Sequence, residues 1–282
     1  MKYILITGVS TGIGYELSKL FIKNGYHVFG SVRKQEDADR VKNDLGDEFT
    51  PLLFDVTDHE AIEKSVSTVT EKVGDSGLAG LVNNAGIALY GPTQVLPMSV
   101  WRKQFEVNVF GAIAVTKSFL HLLGARKDCP HPPGKILNIS SVAGKMAMPY
   151  MGPYSGSKFA LEGWSHALRR ELMMYGIDVI IIGPGAIKTP IWTKADNPPP
   201  ELSESPYGNS MGNLRKEFFK QEAKAMAVEV LADKVYKVFA SSSPKTRYSF
   251  LNNKFTDYIL PRIMPDRMLD GFLKKMIFKK SE

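Results

Sequence analysis

The chain has 282 residues, of which 44% are hydrophobic and 23% charged, and a formal charge of +7. This composition excludes a disordered or fibrous chain and is ample for a buried core. The single cysteine, Cys129, excludes an intrachain disulfide and predicts a reducing, cytoplasmic setting. The lysine excess is spread along the chain, reads as solvated surface and predicts no nucleic-acid partner. His27, His59, His121, His131 and His166 lack metal-ligand spacing, so no metal is expected. The apolar start, Tyr3–Thr7, stops at a glycine turn, which is not a signal-type pattern. No uncharged run approaches the ~20 residues of a spanning helix.

Short apolar runs alternate with amphipathic ones. Strands are predicted at Tyr3–Thr7, His27–Val32, Thr50–Phe54, Gly80–Asn83, Lys135–Ser140, Asp178–Ile182 and Arg247–Phe250. Most are continuously apolar, the mark of a parallel sheet covered on both faces. Helices are predicted at Ile13–Asn24, Glu36–Leu45, Asp58–Val73, Ser99–Leu123, Tyr154–Tyr175 and about Leu214–Ala240. The alternation implies an α/β, Rossmann-type doubly wound parallel sheet of about seven strands with helices on both faces. One domain over 1–282 is expected. It carries a substrate lid over 186–230, where the stretch 184–213 is rich in proline and glycine, and a C-terminal helical cap over 251–282.

The first strand runs into Thr7-Gly8-Val9-Ser10-Thr11-Gly12-Ile13-Gly14, and a helix follows. A strand–turn–helix points backbone N–H groups and a positive helix end at a pyrophosphate, and glycine permits close approach. Dinucleotide sites for NAD place a carboxylate at the end of the second strand for the ribose 2′-hydroxyl. Here that position holds Val32, followed by Arg33 and Lys34. A guanidinium can fork onto a 2′-phosphate, so the expected cofactor is NADP(H), with Arg33 as the contact.

Tyr154 and Lys158 are four residues apart, on one helix face and about 6 Å from each other. A neighbouring ammonium is expected to favour phenolate and bring the tyrosine below its ordinary pKa near 10. Such a pair alone is common. Its setting is not: Asn138-Ile139-Ser140-Ser141 ends one strand, Asn83-Asn84-Ala85-Gly86 ends another, Asn108 follows in a helix, and Pro184-Gly185-Ala186-Ile187-Lys188-Thr189 follows a third strand.

Over roughly residues 1–190 these motifs together resemble the short-chain dehydrogenase/reductase family, and the chain looks most similar to its hydroxysteroid and retinol dehydrogenase branch. The resemblance implies a catalytic tetrad of Asn108, Ser141, Tyr154 and Lys158. It implies that Gly8, Ser10, Thr11, Ile13 and Gly14 meet the cofactor's phosphates and ribose, and that Asp55 and Val56 flank its adenine. Asn84, Ala85 and Gly86 would lie beside the adenosine ribose. Pro184, Gly185, Ile187 and Thr189 would hold the nicotinamide end, and Lys158 the nicotinamide ribose. Asn108 would support a water chain to Lys158.

Substrate contacts are expected from Ser141, Ala143, Met148, Tyr154 and Trp192, an apolar set that suits a lipophilic alcohol or ketone, steroid- or retinoid-like. A 3-oxoacyl carrier-protein ketoreductase and a non-catalytic NADP sensor are the alternatives. The family's helix pairing implies a homodimer or homotetramer. Residues 266–280 form an amphipathic helix with an apolar stripe and lysines at 274, 275, 279 and 280. It would cap the pocket, form an interface or make peripheral contact with an anionic membrane.

Overall fold

The fold was read from a computed structural model that describes residues 1–189, 191 and 205–278, with backbone alone at 221 and 222. Seven strands form: β1 (Lys2–Ile6), β2 (Tyr26–Val32), β3 (Phe49–Leu53), β4 (Gly80–Asn83), β5 (Lys135–Ile139), β6 (Asp178–Pro184) and β7 (Arg247–Phe250). They make one sheet in the order β3-β2-β1-β4-β5-β6-β7, and every pairing is parallel. The helices are α1 (Gly12–Lys23), α2 (Gln35–Leu45), α3 (His59–Val73), α4 (Met98–Phe105), α5 (Ala112–Phe119), α6 (Gly152–Glu171), α7 (Gly208–Ala223), α8 (Val228–Ala240), α9 (Leu260–Ile263) and α10 (Asp266–Ile277).

The period-two alternation of strand side chains divides the core. Ile4, Ile6, Val28, Val82, Leu137, Ile180 and Ile182 face one side, against Leu17 and Phe21 of α1, Val41 of α2 and Leu231 and Val235 of α8. Leu5, Phe29, Leu81, Ile136 and Val179 face the other, against Ile62 and Val69 of α3, Val115 and Phe119 of α5 and Leu168 of α6. Both faces are covered, which is why the strands read as unbroken apolar runs. The chain winds away from β1 in both directions, through β2 and through β4. The crevice between their carboxyl ends is where such sheets bind ligands.

Two predicted helices break along their length, and a third, 154–175, closes in a 3-10 turn at Leu172–Tyr175. The run 99–123 is α4, a wide π turn at Glu106–Gly111, α5 and a closing 3-10 turn at Leu120–Leu123. A π turn swells a helix by one residue and occurs mostly at functional sites; this one carries Asn108, which is 2% exposed. By length and composition the run 98–123 could cross a membrane, but 56% of its most apolar stretch is buried within the protein. It is a core helix of this fold. The run 214–240 is α7 and α8, parted at 224–227. There Met226 forms a strand-like bridge to Ile187 through Met226 N–H to Ala186 O and Lys188 N–H to Met226 O, both 3.0 Å. That bridge needs extended backbone, so no helix can pass through it. α7 also begins inside the stretch expected to be loop.

Candidate active site

The site is assembled where β1 and β4 end. Thr7 closes β1, and its hydroxyl accepts the N–H groups of Asn84 and Ala85, each at 3.0 Å. The Asn84 amide donates to the carbonyls of Thr7 and Gly8 at 2.8 and 3.0 Å. Gly8 has φ +70°, and a Cβ there would lie 2.9 Å from the Ala85 Cα. At Gly14 a Cβ would lie 2.5 Å from the Asn84 amide nitrogen. The glycines therefore let two backbone turns touch, which no side chain would permit. The α1 N-cap, Thr11, makes no side-chain cap bond, and the first turn holds no acid. The first N–H groups and the positive helix end remain available to an anion.

A cleft of about 420 Å³ opens there. Of the residues expected to bind cofactor, Gly8, Ser10, Thr11, Ile13, Arg33, Asp55, Val56, Asn84, Ala85, Gly86, Tyr154, Lys158, Pro184, Gly185, Ile187 and Thr189 line it, together with Ser141. Gly14 supports the turn from behind. Ala143 and Met148 are not in the cleft wall but pack on an apolar group of Ala88, Met151 and Tyr154 at its end. Trp192 lies outside the described residues, as do Lys279, Lys280 and most of the stretch 190–204. Arg33 stands at the rim, 68% exposed, with Nη1 3.8 Å from Asp55 Oδ2. An exposed pair of this kind is worth under about 1 kcal/mol, so Arg33 can turn to a phosphate at little cost. The bare helix end, the two glycine contacts and the rim guanidinium fit a dinucleotide carrying a 2′-phosphate.

Tyr154 is 6% exposed and shares a side-chain hydrogen bond with Ser141. Burial pushes its phenol above the ordinary value of 10, and the Ser141 bond pulls it partly back. Lys158 Nζ lies 5.8 Å from the Tyr154 ring centre and donates to the Ile139 carbonyl at 2.9 Å. Burial pushes its own pKa down to about 8, opposed by Glu162. The expected acidification of Tyr154 by Lys158 is thus not found, because burial of the phenol outweighs the one contact that lowers it, the Ser141 hydrogen bond. At pH 7 Tyr154 is a neutral phenol, which is a proton donor.

Asn108 is not in the cleft wall. Its Oδ1 accepts Ile87 N–H at 2.9 Å, and its Nδ2 donates to Ile87 O at 3.0 Å and Ser157 Oγ at 3.1 Å. Ser157 Oγ donates in turn to the Tyr154 carbonyl at 2.7 Å. Asn108 therefore ties the segment after β4 to the helix carrying Tyr154. Gln104, fully buried one turn earlier, ties the same segment to α4, accepting Leu89 N–H at 2.7 Å and donating to Ile87 O at 2.8 Å. Sequence reading missed Gln104; its signal was an amide four residues before Asn108 on an apolar helix face. Ser31 was also missed: its hydroxyl accepts Gly8 N–H at 3.0 Å and props up the glycine turn.

Residues 2–199 match the short chain dehydrogenase family. The chain belongs to that family. A relative in Ornithobacterium rhinotracheale, the NADPH-dependent 3-dehydrocapnine reductase, is 43% identical over 282 residues, covering 100% of this chain and 99% of its own. The bovine 17-beta-hydroxysteroid dehydrogenase type 6 is 30% identical over 290 residues, covering 94% of this chain and 89% of its own. Among solved structures, a short-chain dehydrogenase from Streptomyces avermitilis superposes with a TM-score of 0.76 at 26% identity, covering 98% of this chain and 94% of that one. This short-chain dehydrogenase is an oxidoreductase acting at alcohol and carbonyl carbons, with a hydroxysteroid dehydrogenase among its relatives.

Proposed function

We propose that the chain is an NADP(H)-dependent reductase of a lipophilic ketone. The observation that carries this is the apolar wall around the proton donor: Ala88, Met151 and Tyr154 pack with Tyr90, Ala143, Met148, Ile191 and Phe218. NADP(H), when bound, supplies the hydride. The Tyr154 hydroxyl protonates the carbonyl oxygen as negative charge develops there, and Ser141 holds that oxygen by a second hydrogen bond. Lys158 supplies a cation behind Tyr154 and, by family analogy, grips the nicotinamide ribose. Asn108, by family analogy, would support a water chain that returns protons to Lys158.

The substrate class is drawn from two supports: the apolar wall and full-length likeness to a reductase of a 3-dehydro compound. NADPH consumption should be measured with 3-dehydrocapnine, steroid ketones, retinal and 3-oxoacyl thioesters. Turnover confined to thioesters would sink the lipophilic reading, and NADPH binding without turnover of any of them would favour a sensor.

In assembly, the reading is a homodimer or tetramer in the cytoplasm. Phe110 on the π turn and Phe159 on α6 are 51% and 45% exposed, on the faces that a second copy would cover. Light scattering that returns a 31.3 kDa particle refutes this. α10 packs part of its apolar stripe inward, with Ile277 buried, and leaves Met268 and Phe272 64% and 68% exposed beside Arg267, Lys274 and Lys275. An anionic bilayer is the surface that matches this pattern. Failure to sediment with phosphatidylglycerol vesicles removes that reading.

A further inference from the structure

Behind the catalytic side chains lies the most buried ion pair among the described residues. Glu162, one turn after Lys158 on α6, is 1% exposed, and its partner Arg247 on β7 is 13% exposed. Glu162 Oε1 accepts from Ser140 Oγ at 2.9 Å and from Arg247 Nη2 at 2.9 Å. Its Oε2 accepts from Arg247 Nε at 3.0 Å and lies 3.1 Å from Lys145 Nζ. Arg247 Nη2 also reaches the Ser141 carbonyl at 3.4 Å, and Nη1 donates to Ser249 and, at 2.9 Å, to Tyr258 Oη. Tyr258 belongs to the π turn Phe255–Ile259 of the C-terminal segment.

We propose that Glu162 and Arg247 are positioning residues: their buried pair sets the charge carried by Lys158, braces Ser140–Ser141 from behind and ties the C-terminal segment to the proton-transfer site. This rests on the reading that Tyr154 and Lys158 carry the reaction. Fork-on-carboxylate geometry fixes both partners, and a carboxylate one helical turn from an ammonium favours its charged form. Burial alone drives Lys158 toward neutrality.

The groups facing this cluster come from each element around it. On α6 they are Tyr154, Lys158, Glu162 and His166. From the segment after β5 come Ser140, Ser141 and Lys145. β7 adds Arg247. Tyr258 comes from the C-terminal segment with Arg262, which donates to it at 3.0 Å. α4 adds Lys103, which lines the same cleft as Lys158, and the π turn adds Asn108, which is uncharged. Glu162 is the one anion in this set, against the cations Lys103, Lys145, Arg247 and Arg262. Removing Glu162 therefore leaves Lys158 among like charges, and removing Arg247 or Lys145 leaves the carboxylate less compensated. The two kinds of change act on Lys158 with opposite signs, which loss of packing alone would not do.

The test is the titration of Lys158 in ligand-free protein labelled with carbon-13 lysine, its signal assigned by loss in Lys158→Arg. The midpoint should fall by about one pH unit or more in Glu162→Gln and rise in Arg247→Met. Arg247→Lys, which keeps the charge, should leave it in place. Should Glu162→Gln or Arg247→Met fail to fold, Lys145→Met is the variant read, and the midpoint should rise there too. The alkaline limb of the pH profile for reduction should move in the same directions. A midpoint unmoved by Glu162→Gln, Arg247→Met and Lys145→Met, a rise in Glu162→Gln, or a fall in Arg247→Met or Lys145→Met overturns the proposal. Wild-type turnover in Lys158→Arg would instead overturn the site reading, while the titration still answers for Glu162 and Arg247.

Discussion

The two ends of the cleft are built in different ways. At the cofactor end, backbone meets backbone: the Thr7 hydroxyl and Asn84 amide stitch two strand ends together at 2.8 to 3.0 Å, and Gly8 lets the turns touch. At the substrate end, side chains from distant segments meet at Tyr150. Its hydroxyl lies 2.6 Å from Ser210 Oγ on α7, and its ring is 6.0 Å from Tyr207 and 6.2 Å from the C-terminal Phe278. Its carbonyl accepts Gly91 N–H at 2.8 Å. The first end is fixed by backbone contacts that leave no room for a side chain. The second is fixed by contacts that can be exchanged without disturbing the sheet, so specificity can change there while the chemistry stays.

The sharpest break between the ends should come from Tyr154→Phe. It keeps the ring in its apolar wall and removes only the oxygen that carries the proton. Turnover should drop by about 10²–10⁴-fold, the range for a general acid, while NADPH binding measured by nicotinamide fluorescence stays at the wild-type value. Substantial retained activity would show that another group supplies the proton.

What could be read from sequence follows the same division. Most strands were legible because burial on both faces leaves an unbroken apolar run, and the glycine turn was legible because its function needs glycine. All but Gly14 of the residues expected at the cofactor line the cleft. The π turn around Asn108 was not legible, because one extra residue per turn leaves the apolar period nearly unchanged. Nor was the break at Met226, which depends on pairing with Ile187, 39 positions earlier. Glu162 looked like one more helix acid: nothing local says that Arg247, 85 positions away, would fork onto it. Tyr150, left-handed at φ +65°, was equally hidden, since the strain of such a conformation, about 1–3 kcal/mol, is held by its distant partners.

At the cofactor end a smaller change is expected from Arg33→Ala. The side chain is exposed and holds only a 3.8 Å pair with Asp55, so the fold should not notice its loss. The preference for NADPH over NADH should narrow by about 1–3 kcal/mol, the worth of a charge-assisted hydrogen bond, with the loss falling on NADPH. Equal dissociation constants for the two cofactors in the wild-type protein would remove the basis for this role.

The smallest effect, and the most selective, should come from Tyr150→Phe. The change deletes the hydroxyl that meets Ser210 and leaves both aromatic contacts. One neutral hydrogen bond contributes about 0.5–1.5 kcal/mol, and Ser210 keeps its own bond to the Tyr207 carbonyl at 2.9 Å, so the protein should remain folded. What loosens is the junction between α7 and the segment leading into Tyr154. That junction borders the apolar wall and not the glycine turn. KM for a bulky ketone should therefore rise by up to roughly tenfold while the dissociation constant of NADPH stays fixed. Steady-state kinetics with a large and a small ketone separate the outcomes. A rise for the large ketone alone assigns the Tyr150 junction to substrate closure. An equal rise for both, or a matching loss of NADPH affinity, would mean that the two ends of the cleft are not independent and that the division between them fails.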